Sequence, residues 1–339
     1  MKAIYLVKTG DASQAFEIRE AEKPLIRQGQ VLIKVDCFGL NYADVLARLG
    51  MYRDAPKIPC ILGYDVAGTV EDVANDVQQF RPGDRITAMT RFGGYAQYAV
   101  TDARAVAKIP ETMEANAATA LTTQYCTAYY CAAECMTLYA GDKVLIHSAA
   151  GGVGTALVQF ARHKGCEIFG TTGSAAKTDM LEKAGVQHVI NTSEEKFDEA
   201  VMRITKDGGV DAIFDAVGAD YVKRGIKILS PGGKIVCYGA SKMTEANNIF
   251  GKIARGIGFG FYHPAQFILS SKSLIGVNML KISDARPEVL QRCLQQVVQL
   301  ATQKVFEPLV AKTFDSKEID EAHRFLESRK SVGKIAVKW

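Results

Sequence analysis

A chain of 339 residues, 48% of them hydrophobic, is long enough for two domains with separate cores, and that composition excludes intrinsic disorder. Lysine plus arginine (41) barely exceeds aspartate plus glutamate (37), so no broad basic surface for nucleic acid is announced. Met1 to Gly10 lacks the basic-then-apolar pattern of a secretory signal and no apolar run approaches a membrane span, so a cytoplasmic setting is expected.

The first 121 residues read as a compact, partly closed β-domain. Strands are expected over Lys2 to Val7, Val31 to Phe38, Asp65 to Val73, Arg85 to Met89 and Tyr95 to Val100, separated by turns such as Arg81-Pro82-Gly83-Asp84. One helical piece, Asn41 to Gly50, interrupts them, followed by Met51-Tyr52-Arg53 and a loop marked by Pro56 and Pro59. An alanine-rich helical pattern from Ala115 to Met136 leads into a second domain, with Thr122, Thr123 and Thr127 as hydroxyls near the join. The spacing of Cys126, Cys131 and Cys135 suits neither a metal site nor a disulfide framework, and buried thiols are expected.

The apolar run Val144, Leu145, Ile146 then stops abruptly in small residues, and Val153, Leu157, Phe160 and Ala161 recur at helical spacing until Gly165. That is strand, tight turn, helix. Gly151 and Gly154 keep side chains out of the turn, and the helix start offers amides and a positive dipole end to a pyrophosphate. Ala149 stands where the G-x-G-x-x-G fingerprint has its first glycine, so the motif alone also fits a plain loop. The residues downstream favour the nucleotide reading. Strand and helix keep alternating to Tyr238, the pattern of an α/β doubly wound parallel sheet, expected here over residues 122–280.

The strands of this sheet end in Thr172-Gly173, Asn191-Thr192, Val217-Gly218 and Tyr238-Gly239, and carboxyl ends of parallel strands are where such sheets bind ligands. NAD-preferring folds carry an acid roughly 20 residues beyond the fingerprint, on the ribose 2′-hydroxyl. Thr171-Thr172 hold that place here. Gly173, Ser174 and Lys177 offer an amide, a hydroxyl and an ammonium, which suit a 2′-phosphate and point to NADPH. Lys177 also reads as a solvated residue on the next helix.

Residues 241–271 break the alternation. Glu245 to Ile257 is weakly helical, and GIGFGFYHP crowds glycines among aromatics. Two readings stand: a mobile apolar lid beside an acceptor cleft, and a helix and loop packed on the core. Ser273 to Leu280 reads as the last strand of the sheet and Glu288 to Thr302 as an amphipathic helix. The final strand, Lys334 to Lys338, has to return from the 281–339 segment to the β-domain, which makes that domain discontinuous.

Six stretches together resemble the medium-chain dehydrogenase/reductase superfamily, and within it the zinc-free quinone oxidoreductases related to zeta-crystallin. They are GLNYADVLARLGMY (39–52), LGYDVAGTV (62–70), FRPGDRI (80–86), TAYY (127–130), SAAGGVG (148–154) and SVGKIAV (331–337). The segment after Tyr238 is similar to the vesicle amine transport protein-like branch. The resemblance implies a GroES-like β-barrel catalytic domain beside a Rossmann NADPH-binding domain. Zinc-dependent relatives have cysteine where this chain has Asn41, and histidine then glutamate where it has Tyr64 and Asp65. Asn and Tyr replace thiolate and imidazole poorly, so no metal is expected.

The resemblance further implies that Asn41 and Thr127 border the nicotinamide end of the cofactor. Asn41 reads equally as the cap of its helix, and both roles can coexist. Ala150, Gly151, Gly152 and Val153 are expected on the pyrophosphate. Thr192, Val217, Gly218, Tyr238 and Gly239 are expected along the cofactor, with Val277 and Lys334 approaching from its far side. Tyr52 matches a cleft tyrosine that hydrogen-bonds an acceptor oxygen, and it or water delivers the proton after hydride arrives. Tyr64 fills the vacated zinc position, and Asp44 holds a local network. The implied activity is NADPH-dependent hydride transfer to a quinone or an α,β-unsaturated carbonyl, by a homodimer joined through the edge strand at 273–280. Two rivals stand beside it: an enone or enoyl reductase, and a nucleotide-loaded scaffold that contacts lipid or a partner with little turnover.

Overall fold

The computed structural model describes residues 1–245 and 256–339. Contacts divide the chain into two units, Met1–Cys126 with Met279–Trp339, and Thr127–Asn278.

The second unit is built on a parallel sheet whose order is His188–Asn191, Glu167–Thr172, Lys143–Ile146, Val210–Asp215, Leu229–Cys237, Ser273–Gly276. Numbered along the chain this is the doubly wound order 3-2-1-4-5-6, with its switch point between Lys143–Ile146 and Val210–Asp215. Runs such as VLI and AIF are apolar without alternation because helices cover both faces of such a sheet. Leu145, Phe169, Ile190, Phe197, Ile213 and Ile235 are buried in one core cluster. Each full burial contributes about 1.5–3 kcal/mol.

The last strand is shorter than the expected Ser273 to Leu280. It stops at Gly276, and Met279–Ala285 is a helix whose Leu280 joins the core of the first unit. Apolarity at Met279 and Leu280 serves burial on a helix, which a period-two reading over eight residues does not separate from a strand. Of the 241–271 segment, residues 246–255 lie outside the described residues. Its remainder forms a 3-10 turn, Ser241–Glu245, and a short helix, Pro264–Ser270.

In the first unit one sheet runs Val310–Asp315, Lys334–Lys338, Gln30–Leu40, Asp65–Val73, Arg85–Met89, Val106–Lys108, with Tyr98–Asp102 also paired to Gln30–Leu40. A smaller sheet joins Phe16–Glu20, Lys2–Leu6 and Cys60–Ile61. Lys334–Lys338 lies antiparallel to Gln30–Leu40, with Ala336 opposite Gly39 and Ile335 opposite Leu40. The helix Tyr42–Arg48 follows directly from the central strand. Beyond Ala115–Ala120 the helix widens into a π-helical turn, Leu121–Tyr125. Among the described residues no helix is long and apolar enough to cross a membrane.

Candidate functional site

The first unit gathers a set of buried polar groups from four elements. Asp65, at the start of its strand, and Lys334, at the start of the last strand, form an ion pair in which neither side chain is exposed. Gly39, on the strand between, makes room for it. A Cβ there would lie 2.7 Å from Lys334 Nζ and 3.0 Å from Thr119 Oγ1. Asn41 donates through Nδ2 to Asp65 Oδ2 at 2.6 Å and accepts from Lys334 Nζ through Oδ1 at 3.1 Å. On the other carboxylate oxygen, Asp65 Oδ1 accepts from Thr122 Oγ1 at 2.7 Å and from Thr123 Oγ1. Consecutive residues of an α-helix diverge by about 100°, so two adjacent hydroxyls seldom reach one oxygen. The π-turn brings Thr122 and Thr123 onto it.

Asn41 caps the helix Tyr42–Arg48 through a capping box, its backbone N–H donating to Asp44 Oδ2 at 2.8 Å. Burial pushes the Asp44 carboxyl up to about 7, an effect its backbone hydrogen bond and Lys334 only partly offset. Tyr52 and Tyr64 meet edge to face with ring centroids 6.4 Å apart, and Tyr64 also packs on Phe92 at 5.0 Å. Desolvation raises both phenols above their ordinary value, so both stay protonated at neutral pH. Tyr52 is half-buried and Tyr64 buried.

In the second unit the strand Lys143–Ile146 runs into a turn that starts with Ser148 at φ 54° and leads to the helix Gly152–His163, capped by Gly151 without a side-chain bond. The turn is tied to the neighbouring strand by Ala149 N–H donating to Thr171 O (3.0 Å) and Ser148 N–H to Thr171 Oγ1 (3.1 Å). Gly154 lets the helix pack closely on the turn, since a Cβ there would sit 2.8 Å from Ala149 Cα and Ala149 O. The first amides of this helix, at Gly152 and Val153, are the kind that bind pyrophosphate.

At the end of the neighbouring strand, Thr172 and Ser174 hydrogen-bond one another, and Thr192 N–H donates to Thr172 O at 2.8 Å. Gly173 faces open space, and Lys177 is half-buried, with desolvation lowering its ammonium's pKa. Asp215, at the next strand end, accepts from the N–H groups of Val217 (2.8 Å) and Gly218 (3.0 Å), and burial pushes it up to about 6. Tyr238 N–H donates to Asp215 O and Val277 N–H to Cys237 O, both at 2.9 Å.

The residues named from sequence therefore fall into two groups. Asn41, Tyr52, Tyr64 and Lys334 belong to the first unit; Thr127, the glycine turn and the strand-end residues belong to the second. The Lys334 ammonium is wholly buried and engaged by Asp65 and Asn41. Sequence reasoning assigns no role to two of the carboxylates. Asp65 stands out in it only as a former metal position. Asp215 carries one signal, an acid closing the apolar run VDAIFD just before a glycine turn.

Two families match. "Alcohol dehydrogenase GroES-like domain" covers residues 27–111 and "Zinc-binding dehydrogenase" residues 152–295. The chain is 30% identical to the synaptic vesicle membrane protein VAT-1 homolog of Rattus norvegicus over 320 residues, 94% of this chain and 78% of that protein. It is equally identical to the Danio rerio homolog over 316 residues, 92% of this chain and 65% of that one. It spans 8% of the Streptomyces venezuelae pikromycin polyketide synthase component PikAII, which it also matches. Among solved structures, Escherichia coli quinone oxidoreductase complexed with NADPH superposes with a TM-score of 0.87 at 25% identity over the whole of both chains. CurK enoyl reductase gives 0.84 at 26%, covering 99% of this chain and 98% of that one. The chain belongs to the medium-chain dehydrogenase/reductase superfamily of oxidoreductases, in its quinone oxidoreductase/VAT-1-like family.

Zinc does not fit the residues present. A carboxylate offers about four lone-pair positions, and those of Asp65 meet Lys334, Asn41, Thr122 and Thr123. An amide at 41 and a phenol at 64 complete the set, and neither is a common zinc ligand. Among the described residues no group of three or more His, Cys, Asp or Glu side chains is placed to hold a metal. NADPH does fit, at the close glycine turn and at the acid-free strand end, where Gly173 leaves space.

Proposed function

We propose that the chain is a metal-independent, NADPH-dependent reductase whose acceptor is a quinone or an α,β-unsaturated carbonyl. The observation that carries this reading is the saturated Asp65 carboxylate: with it occupied, the Asn41 amide and the Tyr52 phenol are the groups offered here to a substrate oxygen, as hydrogen-bond donors. Donors suit an oxygen that gains negative charge, as a carbonyl does during reduction. They stabilise an alkoxide far less than a metal does, and a metal is what alcohol oxidation in the zinc-dependent relatives relies on. Two solved relatives whose names include NADPH with a quinone oxidoreductase, and an enoyl reductase, support the cofactor and the acceptor class.

When bound, NADPH supplies the hydride. The chain's own part is orientation and charge. Ala150 to Val153 hold the pyrophosphate at the helix start, and Thr172, Gly173, Ser174 and Lys177 hold the 2′-phosphate, with no carboxylate to repel it. Thr127 and Asn41 orient the nicotinamide end, while Thr192, Val217, Gly218, Tyr238, Gly239 and Val277 line the rest. Tyr52, neutral and half-buried, donates to the acceptor oxygen, and it or water delivers the proton. The test is NADPH oxidation with a panel of quinones, enones and enoyl thioesters, in the presence and absence of chelator. Turnover of quinones or enones that chelator leaves intact is expected. A protein that binds NADPH and turns over none of them is a scaffold instead.

A further inference from the structure

The amide of Asn41 is gripped at both ends by opposite charges. Its oxygen faces the Lys334 ammonium at 3.1 Å and its nitrogen faces the Asp65 carboxylate at 2.6 Å. Turned over, the same amide would set N–H against ammonium and oxygen against carboxylate, so the pair of charges permits one orientation. The capping box favours the same orientation, because it sets the Asn41 side-chain oxygen toward the Asp44 N–H, but it leaves the amide nitrogen without a partner and asks for neither Lys334 nor Asp65.

The ion pair is also an expensive way to fill a core. Both side chains are fully buried, two hydroxyls are drawn in to complete the carboxylate's shell, and Gly39 is kept bare to admit the lysine. A well-packed apolar pair of the same volume would hold the sheet as well. What the apolar pair would not do is orient an amide. Asn41 keeps one N–H beyond the bond to Asp65, and the residue, unlike its two partners, retains 6% exposure.

We infer that Lys334 and Asp65 are positioning residues: together they lock Asn41 so that its remaining N–H is presented as a donor to a ligand carbonyl oxygen. This rests on the reading of the chain as an NADPH-dependent carbonyl reductase, and the carbonyl has two sources, the nicotinamide carboxamide and the acceptor. A locked donor aimed at such an oxygen needs no reorganisation when charge develops there.

Lys334→Met alone leaves a buried carboxylate unpaired and can fail to fold, so the test uses Lys334→Met/Asp65→Asn, which removes both charges, beside the conservative Lys334→Arg. Three readouts are taken on the full chain: exchange of the Asn41 side-chain amide protons by NMR with 15N-asparagine, NADPH dissociation constants, and kcat and KM for a quinone and an enone. The double variant is expected to keep its fold, to exchange the Asn41 amide at least tenfold faster, and to lose at least tenfold in kcat/KM, with Lys334→Arg recovering part of both. If the carbonyl is the carboxamide, NADPH binding weakens while 2′,5′-ADP binding does not. If it is the acceptor's, NADPH binding is unchanged and the loss falls on turnover. A double variant with parental exchange, kcat/KM and NADPH affinity overturns the inference. Should the parent turn over none of the acceptors, the functional reading fails by itself. Amide exchange and NADPH affinity then decide the positioning role, which falls if both are parental in the double variant.

Discussion

Lys334 and Asp65, 269 positions apart in the chain, share an ion pair from which solvent is excluded on both sides. Removing one partner of such a pair typically destabilises by about 3–5 kcal/mol, because a lone buried charge remains, whereas removing both charges costs far less. Chemical denaturation is therefore expected to show a large loss for Lys334→Met and a small one for Lys334→Met/Asp65→Asn. Equal losses in the two variants would mean that packing, and not charge balance, dominates at this position.

Gly39 gives a second handle on the same pair. A methyl group at that position would lie 2.7 Å from Lys334 Nζ, inside any normal contact. Gly39→Ala is expected to destabilise by about 1–3 kcal/mol, the usual range for overpacking. The effect should shrink when Lys334→Ala is present as well, since the closest atoms it meets are gone and only Thr119 Oγ1 at 3.0 Å remains, and a double-mutant cycle reads that coupling.

Cofactor choice turns on the end of Glu167–Thr172, where Thr172 is buried beside open Gly173. NADPH is expected to bind more tightly than NADH. Lys177→Ala should weaken NADPH about tenfold, or ~1.4 kcal/mol, and leave NADH nearly unchanged. Thr172→Asp should reverse the preference by accepting from a ribose hydroxyl and repelling a phosphate. Fluorescence titration with both cofactors checks all three, and equal affinities in the unmutated protein would refute the assignment.

Stability should depend on pH through opposing pairs of buried groups. Burial pushes His147 and His323 down from 6.5 to about 3, so stability present above pH 6.5 is lost as pH falls toward 3. Asp44 and Asp215 are raised from 3.8 to about 7 and about 6, so their contribution is present below 3.8 and is lost as pH rises through those values. Asp44→Asn removes one of the opposing groups. Its unfolding free energy is expected to climb more steeply than the parent's between about pH 4 and pH 7, and parallel slopes would show that Asp44 does not titrate there.

The strand Ser273–Gly276 ends its sheet and, among the described residues, pairs only with Leu229–Cys237. Leu274 on it and Ile268 and Leu269 on the preceding helix are exposed. An open apolar edge invites pairing with another copy, and a two-fold homodimer is the expected occupant. Sedimentation should give a dimer at micromolar concentration and a monomer for Leu274→Arg. A monomeric parent would rule the dimer out.

The parallel sheet was legible because its strands are short apolar runs punctuated by turn residues, so the expected ends at Thr172, Asn191, Val217 and Tyr238 lie within two residues of those observed, Thr172, Asn191, Asp215 and Cys237. The first unit is harder to read. Phe16–Glu20 has four exposed residues of five and carries no alternation, being held by its ladder to Lys2–Leu6. The π-turn at Leu121–Tyr125 has no pattern that distinguishes it from ordinary helix. Asn41, Tyr64 and Lys334 can each be named from local words. That Lys334 meets Asp65 is a result of strand register across 269 positions, which no local word carries.

The register of the last strand also sets an order of events during synthesis. Every strand of the parallel sheet has left the ribosome once residue 276 has emerged, whereas Gln30–Leu40 still lacks Lys334–Lys338 at its side. Until that segment arrives, Asp65 has no ammonium to neutralise it and cannot be sealed from water without cost. The domain translated first is thus the one completed last. A nascent chain is therefore expected to complete its parallel sheet before its amino-terminal β-domain, the reverse of the usual order in which domains fold as they are made.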